Sequence, residues 1–422
     1  MSRTLFNNGV RSVDIEIQLI SHNGNVDDLS LYFTELEIVE DITNLSLTGS
    51  LTYTDSQGIK EFLPIVGGET LKIKFKTADK FDEFLKTFII IKLANETTTA
   101  NGFAISKLYF SSDELLKNYE KKISFSWKST GIDYIINDVF RNKLGSIKNI
   151  EIEPTQGAVD FVAPYLRPFD IIKILQNKSI SKIYNDSGYL FYEDAKQYNF
   201  VSLSKLYDGN VYKTFEFNTG VRKDKNTVPT PEYIQAYNII IGNDMIENIK
   251  QGQTGGTIYT FDYSTKSYMR KTIANIESYS QNYGKTLGNK MLFVKHYNNE
   301  TAQISEFTQY INDRNTDAIA NSNIIDLASR AYLSNARLYA SINNNCIVIN
   351  KDGDSGLRCG MVIFANYKSA AKEVIYDEKM AGKYLVRSVR HVINESTGYK
   401  QVCLIFKPGY EQDSTAILGD SR

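Results

Sequence analysis

The sequence predicts a mainly β protein with an α+β insertion, organised as two small β-barrels and one mixed domain. Three observations carry this expectation. Tyr (28) and Phe (22) are abundant while Trp (1) and Pro (7) are scarce, and Tyr, Ile, Thr and Phe recur in short alternating runs that favour strands. The apolar period of the first hundred residues is two, and it changes to about 3.6 after residue 112. A strand–turn–strand unit near the start of the chain recurs near its end.

The first strand is VDIEIQLI, in which Val13, Ile15 and Ile17 alternate with Asp14, Glu16 and Gln18. Asn23-Gly24 marks a turn. LYFTELEIVEDI (31–42) and LSLTGSLTYTD (45–55) follow, and Gly67-Gly68 precedes ETLKIKFKT (69–77). FLKTFIIIKLA (84–94) and FAISKLYFSS (103–112) complete six strands bounded by turns, which indicates a small barrel or sandwich.

From 113 the pattern is helical. Ser112 or Asp113 caps a short helix in DELLKNYEKK. In GIDYIINDVFRNKLG, Ile132, Ile135, Ile136, Val139, Phe140 and Leu144 form one stripe, and Gly145 sits where a terminating glycine belongs. Pro168 opens a further helix, FDIIKILQNK. GYLFYEDAKQYNFVSL (188–203) reads as an aromatic hairpin around a polar turn. Residues 218–232 read as a linker and QGQTGG (251–256) as a loop, while NSNIIDLASRAYLSNARLYA (321–340) reads as a helix. It leads into strands at 345–350, 360–366, 383–393 and 400–407.

The repeat joins KTFIIIKLANETTTANGFAISKLYF, from Lys86 to Phe110, to KYLVRSVRHVINESTGYKQVCLIF, from Lys383 to Phe406. Both place Asn-Glu-Thr or Asn-Glu-Ser at the turn, and a glycine-led strand precedes each. This reads as a degenerate duplication of a barrel.

Composition excludes several classes. With 48 Lys+Arg against 49 Asp+Glu, the net charge of −1 argues against a general binder of nucleic acid or anionic membranes. Cys346, Cys359 and Cys403 lie among apolar neighbours and read as buried thiols in a reducing compartment. MSRTLFNNGVRSV holds no apolar core of a secretory signal, and the longest apolar runs, such as FIII (88–91), fall short of the ~20 residues of a membrane helix.

Motifs for chemistry are sparse. GKT (284–286) lacks the glycine of a phosphate loop, Tyr279 standing in its place. NKDGDSG (350–356) has calcium-loop composition, but Ser355 replaces the required glycine. His22, His296 and His391 are far apart and no C-x-x-C occurs, so no zinc site of ordinary spacing, metal or cofactor is expected. His391 reads as a packed strand residue. Glu35 and Glu37 share a strand face roughly 6.5–7 Å apart, a spacing compatible with glycoside hydrolysis, although such carboxylates usually come from different elements. The expectation is a protein without catalysis.

Three blocks in order carry a family resemblance. LYFTELEIVEDITNLSLTGSLTYTDSQGIKEFLPIVGGETLKIKF (31–75) resembles the N-terminal tube domain of baseplate hub proteins of tailed phages. FVAPYLRPFDIIKILQNK and the hairpin GYLFYEDAKQYNFVSLSKL resemble the family's Pro-x-x-x-Pro-Phe segment and its Leu-Phe-Tyr-Glu hairpin. AGKYLVRSVRHVI with GYKQVCLIFKPG is similar to its closing hairpin. Residues 232–317 match least.

The resemblance implies a homotrimeric ring in which each subunit carries two tail-tube-like barrels, presenting six barrels to a sixfold tube. An α+β cup would hold a threefold central spike. On this reading 1–112 is the first barrel, and 113–203 and 238–317 are two parts of the cup. Residues 204–237 and 318–410 are the second barrel, and 411–422 a polar tail. Pro164, Pro168, Phe169, Tyr189, Phe191, Tyr192, Gly382, Tyr384 and His391 are the structural or interface candidates. The implied partners are the spike, the tail tube protein or a distal ring, and beyond them the tape-measure protein and baseplate wedges. DNA meets the chain only in transit, and near-neutral charge suits a channel that does not hold phosphates. The place is the virion tail, assembled in the bacterial host cytoplasm without a membrane anchor. Alternatives are a type VI secretion-like spike, a distal tail component or a β-rich cell-wall glycosidase.

Overall fold

In a computed structural model, residues 3–6, 12–55, 65–77, 83–98, 104–185, 188–217, 232–241, 256–262, 266–273, 289–290, 306–308, 342, 346–367, 377, 380–407 and 411–412 are described. The linker at 218–232 and the loop at 251–256 fall almost wholly outside these residues, and GKT (284–286), His296 and the helix expected over 321–340 lie wholly outside them.

The first barrel is built from β1 (Ser12–Ile20), β2 (Phe33–Asp41), β3 (Thr48–Asp55), β4 (Thr70–Thr77), β5 (Phe84–Thr98) and β6 (Ala104–Ser111). Their spatial order is β1-β4-β5-β6-β3-β2, and every neighbouring pair is antiparallel. The period of two sends Val13, Ile15, Ile17 and Leu19 inward, where they meet Leu71, Ile73 and Phe75 of β4. Aromatic pairs fill the centre: Phe75 stacks on Phe84 at 4.5 Å, and Phe88 meets Phe110 at 4.8 Å.

Between the barrels lies the α+β segment. It comprises α1 (Asp113–Glu120), β7 (Ile123–Gly131), α2 (Ile132–Asp138), β8 (Ile150–Ile152), β9 (Ala158–Leu166), α3 (Pro168–Lys178), β10 (Tyr189–Glu193), β11 (Tyr198–Ser202) and α4 (Leu203–Tyr207). The helix expected over 131–145 divides: α2 gives way at Val139 to a π turn through Lys143, and Gly145 (φ +78°) ends it. The stripe survives the change of winding, since Ile132, Ile135, Ile136, Val139, Phe140 and Leu144 all enter one core with Phe169, Phe191 and Tyr198.

The second barrel contains β12 (Val211–Phe217), β13 (Tyr233–Ile241), β14 (Cys346–Asp352), β15 (Val362–Asn366), β16 (Gly382–Asn394) and β17 (Gly398–Phe406). These six strands close on themselves in the order β12-β15-β16-β17-β14-β13, with β13 returning to β12. That order is the first barrel's order, strand for strand.

Two irregularities repeat as well, while further bulges between Ala94 and Thr97 of β5 and between Ile239 and Ile241 of β13 have no counterpart. β5 and β16 each carry a one-residue bulge against the following strand, at Ile91 and Arg387. β2 and β13 each carry one near their start, at Thr34 and Gln235. Shared bulges fix the correspondence at Ile91 with Arg387 and Thr34 with Gln235. On that alignment Asn95 answers His391 rather than Asn394, because the β5–β6 hairpin is longer. One strand departs from the pattern: β1 runs antiparallel to β4, whereas β12 runs parallel to β15.

Candidate functional site

The two barrels share a wall. β2 and β16 pair antiparallel from Glu35↔Asn394 to Asp41↔Ser388, so one sheet runs through both barrels. On the outer face Arg390 bonds Glu37 at 2.7 Å and the Asn394 amide bonds Glu35 at 3.2 Å. Glu35 and Glu37 are therefore both engaged by β16 side chains, not facing each other across an open cleft.

The inner face of this wall carries a buried polar network. His391 Nε2 lies 2.9 Å from Glu40 Oε1, and Nδ1 lies 2.8 Å from the Tyr399 hydroxyl. Gln401 donates to that hydroxyl at 3.0 Å and to the Asp354 carbonyl at 2.8 Å. Its own oxygen accepts from Lys351 Nζ at 2.8 Å. The second Glu40 oxygen accepts from the Cys359 amide at 3.3 Å. Phe75 and Phe84 of the first barrel lie 5.9 and 5.8 Å from the His391 ring, so the network sits in an aromatic shell. A Thr77–Ser355 bond of 3.0 Å adds a further link between the barrels.

The KDGDSG turn belongs to this network. Asp354 receives Tyr212 at 3.1 Å and Lys213 at 3.2 Å, and Lys351 places its ammonium beside the Asp352 carbonyl at 2.7 Å. Lysine amines thus engage two of the oxygens that a calcium loop would offer to a cation.

A second network fastens the first barrel to the α+β segment. Glu193, at the end of β10, lies 2.8 Å from Lys148 and 3.6 Å from Lys86 of β5, and accepts from the Leu47 amide at 3.1 Å. Lys148 also meets Glu114 at 2.6 Å. Burial pushes the Glu193 carboxyl up, but the two ammoniums outweigh it and hold it below its ordinary value. Burial pulls Lys148 down, and Glu193 with Glu114 reverse that, so its ammonium is held more tightly than usual.

Of the residues singled out from sequence, Pro168, Phe169, Tyr189, Phe191, Tyr192, Gly382, Tyr384 and His391 are buried within the chain, and Pro164 is exposed on β9. Phe169, Tyr189 and Phe191 pack in the α+β core. Tyr192 packs with Cys359, Val362 and Leu385 of the second barrel, and Tyr384 packs inside that barrel. The three cysteines are buried and unbridged. Sequence reasoning missed Glu40, Gln401, Lys351, Lys86 and Lys148. The signal for two of them was present in the alternation, since Glu40 continues the inward phase of Leu36 and Ile38, and Lys86 sits between inward Phe84 and Phe88.

No protein-family model matches the chain. A curated relative, "Probable baseplate hub protein gp334" of Vibrio phage KVP40, is 21% identical over 385 residues, covering 86% of this chain and 87% of its own. The resemblance to baseplate hub proteins stands. Among solved structures, the tail protein from Neisseria meningitidis MC58 superposes with a TM-score of 0.56 at 8% identity, over 94% of this chain and 97% of its own. The 43 kDa tail protein of prophage MuSo2 from Shewanella oneidensis gives 0.54 at 10% identity, over 93% and 98%. The chain has the fold of these tail proteins over most of its length. Among the described residues no helix is long and apolar enough to cross a membrane.

Proposed function

We propose that the chain is a structural hub of a phage tail baseplate, acting by assembly rather than turnover. Three copies form a pseudo-sixfold ring that joins a sixfold tube to a threefold central spike and leaves a channel for DNA. The observation that carries this reading is the repeated barrel, with the same strand order and two shared bulges in one chain. A threefold partner can meet a sixfold one with equivalent contacts when each subunit of the threefold ring presents the sixfold interface twice. The curated relative's name points the same way.

The α+β segment, its aromatic hairpin turned inward as core, supplies the spike-facing cup, and the tape-measure protein and baseplate wedges are further neighbours. The carboxylates Glu35 and Glu37 belong to the shared wall, which removes the support for a glycosidase.

Light scattering behind a sizing column tests the proposal. A mass near three times 47.9 kDa, about 144 kDa, with ring-shaped particles in negative stain is the expected result. A monomer that persists on co-expression with the spike protein would overturn it.

A further inference from the structure

Lys351 of β14 and Gln401 of β17 are directly opposed in the strand ladder, and both are 0% exposed. Lys351 Nζ donates to the Gln401 side-chain oxygen at 2.8 Å and to the Asp352 carbonyl at 2.7 Å, both uncharged acceptors. The neighbouring carboxylates are engaged elsewhere, Asp352 by Gln235 at 2.7 Å and Asp354 by Lys213 at 3.2 Å. The Phe215 ring centre lies 5.2 Å from the same nitrogen. An ammonium held in the interior by neutral oxygens and a ring is costly. Burial accordingly holds the Lys351 pKa below its ordinary value, although Cys403, Asp354 and Asp352 oppose the shift. The neutral amine so favoured is a nucleophile.

The surroundings of Gln401 fix which way its carboxamide points. The oxygen faces two donors, Lys351 Nζ and the Asp354 amide at 3.1 Å. The nitrogen faces the Asp354 carbonyl at 2.8 Å, the Tyr399 hydroxyl at 3.0 Å and His391 Nδ1 at 3.3 Å. Behind it, His391 bonds both that hydroxyl and Glu40. The carboxamide carbon therefore has an amine beside it, a backbone N–H aimed at its oxygen, and a hydroxyl–imidazole–carboxylate chain at its nitrogen. Those are the parts of an acyl transfer: a nucleophile, an oxyanion donor and a proton source.

We infer that Lys351 condenses with Gln401 to an isopeptide bond, one event per chain, which ties β14 to β17. Nζ bonds to Cδ, the oxygen takes up negative charge against the Asp354 N–H, and the Cδ–Nε2 bond then breaks. Tyr399 gives its hydroxyl proton to the departing nitrogen and recovers the one that Nζ sheds. A primary amide and an amine become a secondary amide and ammonia, so the step balances without an oxidant or cofactor. The product keeps one N–H for the Asp352 carbonyl and removes an ionisable amine from the interior. Glu193 shows that proximity alone is insufficient. It lies 3.6 Å from Lys86, but Lys148 and Lys86 keep its carboxyl ionised, and a carboxylate resists attack by an amine.

Intact mass spectrometry of the full, denatured chain tests this. The expected mass is about 17 Da below that of the sequence, the ammonia lost in the covalent step. Trypsin should leave Lys351 uncut and yield a branched peptide joining residues 338–358 to 401–422. Lys351→Met should carry the full mass of its own sequence. A parent of full mass that trypsin cuts at Lys351 would overturn the inference, and so would a deficit that persists in Lys351→Met. Tyr399→Phe keeps the ring and removes the hydroxyl. In freshly made chains with parental circular dichroism it should slow the mass loss on the order of tenfold or more. An unchanged rate would overturn the assigned proton route. The bond lies within one chain, so it stands or falls apart from the ring proposed above.

Discussion

His391 Nε2 and Glu40 Oε1 meet at 2.9 Å across the strand pair that forms the common wall of the two barrels. Each belongs to a different copy of the repeated barrel, and both are buried. The contact is specific to the inner face, where the Tyr399 hydroxyl, Gln401 and the Cys359 amide satisfy the remaining polar atoms. Losing one partner strands the other in an aromatic shell.

Single and double substitutions separate the worth of this pair from the cost of breaking it. Glu40→Leu or His391→Phe alone is expected to lower unfolding free energy by about 3–5 kcal/mol, because an uncompensated polar group stays buried. The double variant is expected to recover most of that loss, since shape-matched apolar pairs often replace buried polar pairs at little cost. Urea titration of the three variants measures this, and additive losses in the double variant would refute the coupling.

The Glu193 network predicts acid sensitivity with a defined sign. The carboxyl is held below its ordinary 4.5 in the folded chain, so its contribution to stability is complete above that value and is lost as pH falls through the folded value. Lys148→Met removes a principal cause of the lowering and leaves Lys86 alone to oppose burial. Acid unfolding followed by circular dichroism is expected to begin at higher pH in the variant than in the parent. Coincident acid transitions would mean that Lys86 suffices.

Backbone approach gives a third test. A Cβ on Gly353 would collide with the Tyr399 ring, whose hydroxyl holds His391. Gly353→Ala must displace that ring or the turn, and a loss of about 1–3 kcal/mol is expected, the range for forced overpacking. Adding Tyr399→Leu should relieve the clash, so the alanine costs less on that background. An equal cost on both backgrounds would place the strain elsewhere.

Much of this architecture is legible in the sequence because the barrel strands alternate cleanly. Val13, Ile15 and Ile17 point inward as their spacing requires, and the Ile132 to Leu144 stripe reaches one core. The repeated hairpins are real, but Asn-Glu-Thr and Asn-Glu-Ser, which advertise them, are not equivalent positions. What aligns the repeats is a pair of bulges, and a bulge leaves no residue signature of its own. The shared wall was hidden for a related reason. Glu35 and Glu37 look like a carboxylate pair on one strand face until β16 brings Asn394 and Arg390 beside them, from more than 350 residues away. Long-range partners of this kind are set by topology, which local periodicity does not encode.

Lys407 supplies a prediction of the opposite sign to that of Glu193. It is buried at the end of β17, with its ammonium 3.4 Å from the Met380 carbonyl and 5.1 Å from the Tyr384 ring centre. Burial depresses its pKa to about 8, and Asp377 opposes the shift only in part. Between about 8 and 10.5 the unfolded chain therefore binds more protons than the folded one, and stability rises with pH across that window. Below it both states are protonated and the full cost of the buried ammonium is present, on the order of 3 kcal/mol. Lys407→Met keeps the length of the side chain and removes the charge. The variant is expected to melt higher than the parent at pH 7, with the difference shrinking toward pH 10.5. Thermal melts at both pH values decide the matter: a variant that is less stable at pH 7, or a difference independent of pH, would show that the ammonium earns its place through its contacts with Met380 and Tyr384.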